Sequence, residues 1–233
     1  MSIQEMHYDF KSKFNKIDSQ GNRNLIIPEI DHVLNLALEL YVENTAFPRK
    51  SDVNINGFEK STRITEEIRP LVTKADFTKN GDYFLIPTDY WYYVKSVADC
   101  TKETCVNKSC NTVVRQHDDD FNTAFSKSSF EWREVNITFD LNGIKTYSEG
   151  FTVNSLSVTY IKKHSFIHNA EGYNNNTYTR LNGTVLTGIE NCILPENTHK
   201  YIVDIAVQLS SISLNSGNPQ VDNLRSNLNI LNS

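Results

Sequence analysis

The chain has 233 residues, 39% hydrophobic and 22% charged, which predicts a folded protein with a substantial core. Its net charge of −5 argues against general nucleic-acid binding, because such binding depends on neutralising phosphates. Apolar runs are too short for a membrane span or a secretory signal, so we expect a protein made in a cytoplasm without membrane contact.

Residues 1–45 predict two helices. Ser2 and Glu5 have the spacing of a capping box, and apolar residues then recur at steps of three and four as far as Ile17. Pro28 favours the first turn of the second helix, over residues 28–44.

The second predicted helix is apolar on more than one face. Such a helix must be covered on several sides, by its own fold or by neighbouring subunits. We therefore take Leu36 and Leu40 as candidate contacts with an adjacent subunit. A short helix over residues 64–71 follows, which Pro70 ends.

The middle of the chain favours strands. Residues 83–100 are aromatic and β-branched, which predicts a strand, a turn at 87–89 and then a short helical or extended segment. Residues 133–147 alternate apolar and polar side chains around an Asn142-Gly143 hairpin turn. A second Asn-Gly pair, Asn182-Gly183, predicts another hairpin turn. The apolar residues predicted to face inward in the first hairpin are Val135, Ile137 and Phe139.

The end of the chain predicts a helix that opens at Pro195, with Ile202, Ile205, Ala206, Leu209 and Ile212 on its inner face. The final segment is rich in Asn and Ser and contains too few apolar residues for a core of its own. We expect it to become ordered only in an assembly. Its candidate subunit contacts are Leu224, Leu228 and Leu231.

These elements predict an α+β fold: an N-terminal helical hairpin or bundle, a small central antiparallel sheet or sandwich, and a C-terminal helix with an extended arm. The expected divisions are a helical region with short strand elements (1–98), a β-rich region (99–193), a C-terminal helix packing on the helical region (194–213) and the arm (214–233).

The cluster His117-Asp118-Asp119-Asp120 is the first place to look for chemistry. Adjacent residues of a helix point about 100° apart, and those of a strand alternate faces, so the four side chains do not converge on one ion. We interpret Asp119 or Asp120 as the N-cap of a short following helix, with a divalent metal site as the alternative. The chain contains no nucleophile elbow, phosphate-binding loop, dinucleotide fingerprint or zinc-protease motif, so we expect no enzyme and no cofactor.

The cysteines are the second candidate for metal binding. Cys100, Cys105 and Cys110 are separated by four residues each, whereas zinc knuckles favour two to four, and Cys192 is remote. We expect four reduced thiols and no metal, with a zinc site as the alternative.

Several segments together resemble a structural protein of crAss-like tailed phages of gut bacteria, over about residues 3–207. The segments are "IQEMHYDFKSKFNKIDSQ", "IPEIDHVLNLALELYV", "LIPTDYWYYVKSV", "RQHDDDFNTAFSKSSFEWREVNI" and "LPENTHKYIVDIAV". Two helices followed by a P-x-D-Y segment and a β region are also similar to head-to-tail adaptors of short-tailed phages.

The resemblance implies a homo-oligomeric ring of twelve copies in the virion. Its implied partners are the portal protein and other tail or ring proteins, and DNA would pass through the lumen without specific binding. Two alternatives stay open: another tail component, such as a tail-tube, stopper or completion protein, and a glycan-binding or wall-degrading tail module. The aromatic run "DYWYYV" permits the second, although we interpret these aromatics as core.

Overall fold

A computed structural model describes residues 1–17, 24–47, 66–103, 105, 107–115 and 127–214. The chain divides into two compact units, Met1–Pro70 with His164–Ser233, and Leu71–Lys163. The first unit is mainly helical and the second is a β-sheet, so the predicted α+β class is confirmed.

The main helices of the first unit are α1 (Ile3–Ile17), α2 (Ile27–Ala46) and α3 (Glu196–Leu214). The predicted capping box opens α1, because Glu5 N–H donates to Ser2 Oγ at 3.2 Å and Ser2 N–H donates to the Glu5 carboxylate at 2.7 Å.

The helix core of the first unit is apolar, and α3 packs against both α1 and α2. The inner face of α3 is turned from the predicted one, because Val203 and Val207 are buried while Ile205 and Leu209 are only half-buried. Fully or nearly fully buried residues in this core include Ile3, Met6, Phe10, Phe14, Ile30, Leu34, Ala37, Leu38, Val42, Ile202 and Ala206.

The second unit is one eight-stranded sheet in the order β1-β8-β4-β5-β6-β7-β3-β2. Its strands are β1 (Val72–Phe77), β2 (Lys79–Asn80), β3 (Tyr83–Phe84), β4 (Tyr90–Thr101), β5 (Lys108–Val114), β6 (Glu134–Asp140), β7 (Gly143–Tyr147) and β8 (Thr152–Lys162). The sheet is larger than predicted, and it is not wholly antiparallel, because β5 and β6 pair in parallel. After the turn, β4 is extended over twelve residues, so the helical alternative for this segment is wrong.

The β6–β7 hairpin forms where predicted, but its alternation does not hold along the whole strand. Asn136 and Thr138 are buried, and Phe139 is 39% exposed. Asn136 tolerates burial because its Oδ1 accepts from Arg115 Nε at 3.1 Å and its N–H donates to Ser128 Oγ at 2.9 Å.

Short strands complete the first unit. Strands β9 (His168–Asn169) and β12 (Ile189–Glu190) pair antiparallel, and β10 (Thr177–Thr179) pairs with β11 (Val185–Thr187). The β10–β11 turn contains Gly183 at φ +84°, as the Asn-Gly signal predicts.

Gly143 is required where β3 approaches the β6–β7 hairpin. Its φ is +135°, and a Cβ there would lie 2.3 Å from the Phe84 carbonyl oxygen. A side chain would therefore push β3 away from β7, because the contacting atom is backbone and cannot rotate aside.

We expect Gly143→Ala to lower the free energy of unfolding by about 3 kcal/mol, through backbone strain and overpacking. Gly150→Ala is the matched control, since Gly150 has φ +75° but no atom within 4 Å of a built Cβ. Gly150→Ala should lower the free energy of unfolding by about 1 kcal/mol, because it adds backbone strain alone. Urea unfolding followed by circular dichroism measures both, and equal losses would contradict the steric account.

Candidate functional site

A buried carboxylate joins four segments of the first unit. Asp31 of α2 is 0% exposed. A hydrogen bond of 2.7 Å joins its Oδ1 to His7 Nε2 of α1. Its Oδ2 accepts from the Tyr178 hydroxyl at 2.6 Å and from the Asn169 N–H at 3.2 Å. Both carboxylate oxygens are thus satisfied inside the protein, as a buried charge requires.

Tyr178 is held as a neutral phenol in this network. Burial, together with the hydrogen bond to the Asp31 carboxylate, raises the pKa of Tyr178 far above its usual range. The hydroxyl therefore donates to Asp31 throughout the physiological pH range.

Asn35, one turn after Asp31, pairs with the chain just before β9. Its Nδ2 donates to the Ile167 carbonyl at 2.7 Å, and its Oδ1 accepts from the Ile167 N–H at 3.0 Å. The Asn35 amide thus makes the two hydrogen bonds to the Ile167 backbone that a neighbouring strand would otherwise make. Asp31 and Asn35 together anchor α2 to the β9 region.

The Asp31 network combines a histidine, a carboxylate and a phenol, which are groups that can perform acid–base chemistry. However, Asp31 is fully enclosed, His7 is 5% exposed and Tyr178 is 8% exposed. The arrangement leaves no open face on the carboxylate for a substrate, so its evident role is to stabilise the helix–strand packing.

A cavity of about 520 Å³ lies beside this network, between the start of α2 and the β10–β11 hairpin. Its lining is mostly apolar, and the Arg180 guanidinium lies 3.6 Å from the centroid of the Phe166 ring. The apolar lining residues are Leu25, Pro28, Val33, Phe166, Tyr178 and Leu181, and the polar ones include Glu29 and His32.

The outward side of α2 combines polar residues with a few aliphatic ones. Leu36 is 41% exposed, and Val33 and Leu40 are half-buried. The helix therefore turns Asp31 and Asn35 inward and part of its aliphatic surface outward. Leu36 and Leu40, the predicted subunit contacts, lie on this outward side, whereas Leu224, Leu228 and Leu231 lie outside the described residues.

Further apolar side chains are exposed at turns. Leu141 at the tip of the β6–β7 hairpin is 102% exposed, and Leu181 at the tip of the β10–β11 hairpin is 105% exposed. Trp132, in the turn that precedes β6, is 81% exposed. Apolar side chains mark a contact surface when they form a contiguous patch, whereas single ones are common on folded proteins.

The aromatic run at the start of β4 contributes to the core of the second unit. Tyr90 and Tyr93 pack against the buried cluster of the sheet. Trp91 and Tyr92 are half-buried, with their ring centroids 4.9 Å apart.

Only two of the three thiols in the cysteine loop, those of Cys100 and Cys110, lie together. Cys100 and Cys110 are buried in the core of the second unit, while Cys105 is exposed and Cys192 belongs to the first unit. Burial, and then the hydrogen bond with Cys110, raise the pKa of Cys100 to about 12.

The described residues contain no group of three or more His, Cys, Asp or Glu side chains that could hold a metal ion. The cluster His117–Asp120, with its proposed N-cap, lies outside the described residues.

The exposed apolar side chains of both units are consistent with contacts in an assembly. The chain matches the family described as phage tail ring protein 3/4, of crAss-like phages, over residues 1–221. It belongs to this family of phage tail ring proteins. A search of curated proteins gave no match. The resemblance to structural proteins of crAss-like phages is thereby confirmed.

Family membership makes the chain a structural component of the phage tail. None of the helices that the structure describes combines the length and the hydrophobicity that a membrane crossing requires. The predicted contacts Leu224, Leu228 and Leu231 lie beyond the matched residues.

The sequence patterns missed the Asp31 network. An acidic residue in the first turns of a helix is usually explained by the helix dipole, but Asp31 lies inside the core. The available signal was the pair Asp31 and Asn35, two polar residues four apart within a helix that is otherwise apolar on that side.

We expect Asp31→Ala to lower the free energy of unfolding by about 3 kcal/mol or more, because His7, Tyr178 and the Asn169 N–H all lose a buried acceptor. Asp204→Ala is the matched control, since the Asp204 side chain is 51% exposed and its carboxylate forms an ion pair with Lys13. Asp204→Ala should lower the free energy of unfolding by no more than about 1 kcal/mol. Chemical unfolding measures both variants, and similar losses would show that the network does not stabilise the unit.

Proposed function

We propose that the chain is a non-enzymatic subunit of the connector ring that joins the portal to the tail and lets DNA pass. The observation that carries this proposal is the match of residues 1–221 to a family of tail ring proteins. The looser similarity of the helices and the P-x-D-Y segment to head-to-tail adaptors supports the position next to the portal and the copy number of twelve.

The charge of the chain suits a channel for DNA. Twelve copies with a net charge of −5 carry −60 in total, which disfavours binding to phosphates along the path of the DNA. A connector has to let DNA slide through it, so weak or repulsive contact with DNA is an advantage.

The surfaces of both units support assembly. The first unit exposes Leu36 on α2 and Leu181 on a hairpin tip, and the second exposes Leu141 on another hairpin tip. A ring closes through heterologous contacts, in which two different surfaces of each copy meet. Exposed apolar side chains at separate places on one chain are compatible with this requirement.

A second position is a ring further along the tail that does not touch the portal. The family description, which names a tail ring, favours this position over a tail-tube or completion protein. Binding to the portal distinguishes the two ring positions.

Negative-stain images of the purified protein, alone and mixed with the portal protein, test the proposal. We expect rings that dock on the portal, with a native mass near 320 kDa for twelve chains of 26.7 kDa. Rings that form but do not bind the portal protein would favour the second position. Tubes, or a monomer that joins no tail component, would contradict both.

We expect Leu36→Asp to prevent ring formation while the subunit stays folded, because Leu36 is 41% exposed in the single chain but would carry a charge into the contact. Tyr201→Asp is the matched control on α3, where Tyr201 is 51% exposed. Sedimentation and circular dichroism measure assembly and folding. Normal rings from Leu36→Asp would show that this side of α2 is not an interface.

A further inference from the structure

Two hairpin turns, one in each unit, share the sequence Leu-Asn-Gly and differ in the charge of the residue before it. The β6–β7 turn is "DLNG" (residues 140–143), and the β10–β11 turn is "RLNG" (residues 180–183). Their leucines, Leu141 and Leu181, are exposed by 102% and 105%, so the single chain buries neither. The two turns therefore present the same apolar side chain beside opposite charges.

The acidic turn presents a leucine and a carboxylate side by side. Asp140 pairs with Gly143 at the end of the hairpin, so only Leu141 and Asn142 form the turn between them. The Asp140 side chain is exposed, and its Oδ1 accepts the Leu141 N–H at 2.6 Å. Among the described residues the second carboxylate oxygen has no partner, so it can accept from a cation outside the chain.

The basic turn forms one wall of the cavity between the start of α2 and the β10–β11 hairpin. Leu181 lines this cavity together with Leu25, Pro28 and Phe166, so its side chain belongs to a contiguous apolar surface. The Arg180 guanidinium lies 3.6 Å from the centroid of the Phe166 ring. Stacking on an aromatic ring holds the guanidinium plane and leaves its N–H edge open to a carboxylate.

The Arg180 guanidinium is available to an acid from outside. No carboxylate in the part of the chain that the structure describes forms an ion pair with it. The other titratable side chains that line the cavity are Glu29 and His32. The Glu29 carboxylate already accepts the Ile26 N–H at 3.0 Å, at the start of α2. The cavity thus combines an apolar hollow with a cation at its wall.

We propose that the β6–β7 turn of one copy docks into this cavity on the next copy. Leu141 then enters the cavity beside Leu181, and the Asp140 carboxylate pairs with the Arg180 guanidinium. A side chain buried in an apolar pocket, with charged groups around it, is the usual centre of a protein–protein contact. This inference rests on the proposed ring function and names a contact that links successive copies.

A contact of this kind suits a ring. The donated turn belongs to the second unit and the accepting cavity to the first, so each copy gives one surface and receives another. An apolar side chain that fits a pocket elsewhere on the same molecule produces head-to-tail association, which closes into a ring when the rotation between copies allows it.

The competing occupant of the cavity is a segment of the same chain outside the described residues. Residues 18–23, which precede Leu25, contain no aliphatic side chain and cannot supply one to the cavity. Residues 48–65 contain Asp52 followed by Val53, which is also an acid beside an aliphatic residue. An experiment therefore has to show that the acid that meets Arg180 comes from another copy.

Charge exchange between copies provides this test. Asp140→Arg and Arg180→Asp should each reduce the fraction of protein in rings by about tenfold or more, because each brings like charges together. An equimolar mixture of the two variants should form rings again, since each variant then meets the opposite charge on its neighbour. Asp82→Arg is the matched control, because Asp82 is exposed in another turn of the second unit, and it should leave ring formation unchanged.

Sedimentation measures assembly, circular dichroism confirms folding, and electron microscopy separates this contact from the ring role. Normal rings from both single variants would overturn the contact and leave the ring role standing. Loss of rings that the mixture does not restore would overturn the exchange between copies. Open chains that the single variants lose and the mixture restores would support the contact and overturn the closed ring. A monomer in every sample would contradict both proposals.

Discussion

The buried carboxylate of Asp31 is the constraint on which the first unit depends. A charged group without water must be fully hydrogen-bonded, and here its partners come from α1, from β9 and from β10. The carboxylate thus fixes the positions of three segments at one point. Asn35 extends the constraint by one helical turn through its pair of bonds to Ile167.

The orientation of α2 accounts both for its buried polar residues and for the exposure of Leu36. A helix of one isolated domain normally turns its apolar side inward and its polar side outward. In α2 the network directs two polar residues inward, and Leu36 remains 41% exposed. The hydrogen bonds of Asp31 and Asn35 fix this orientation, and the contact of Leu36 with a neighbouring copy is part of the proposed ring. The tail ring family to which the chain belongs provides the setting for such neighbours.

Local signals predicted the local structure well. Three features depend only on residues close together in the chain: the capping box at Ser2 and Glu5, the proline at the start of α2 and the Asn-Gly hairpins. A short stretch of sequence is therefore enough to predict them. The parallel pairing of β5 with β6 was not predicted, because it depends on contacts between segments separated by a long connection. Burial of Asn136 and Asp31 was missed for the same reason, since their partners are distant in sequence.

The candidate site was predictable only in part. The apolar excess of α2 is readable from hydrophobic periodicity, and the contact of Leu36 and Leu40 with an adjacent subunit stays a prediction. Which side of the helix faces outward could not be predicted, since it depends on the partners Tyr178 and Ile167. The cysteine spacing argued against a zinc knuckle, but it could not place Cys100 and Cys110 in a shared core.

The most direct measurement is a cryo-electron microscopy map of the intact phage tail, at a resolution that shows side chains. The account predicts a ring in which α2 lies between adjacent copies, with Asp31 buried inside its own unit and Leu36 covered by a neighbour. A ring in which Leu36 faces solvent, or in which α2 has turned so that Asp31 contacts another chain, would contradict it.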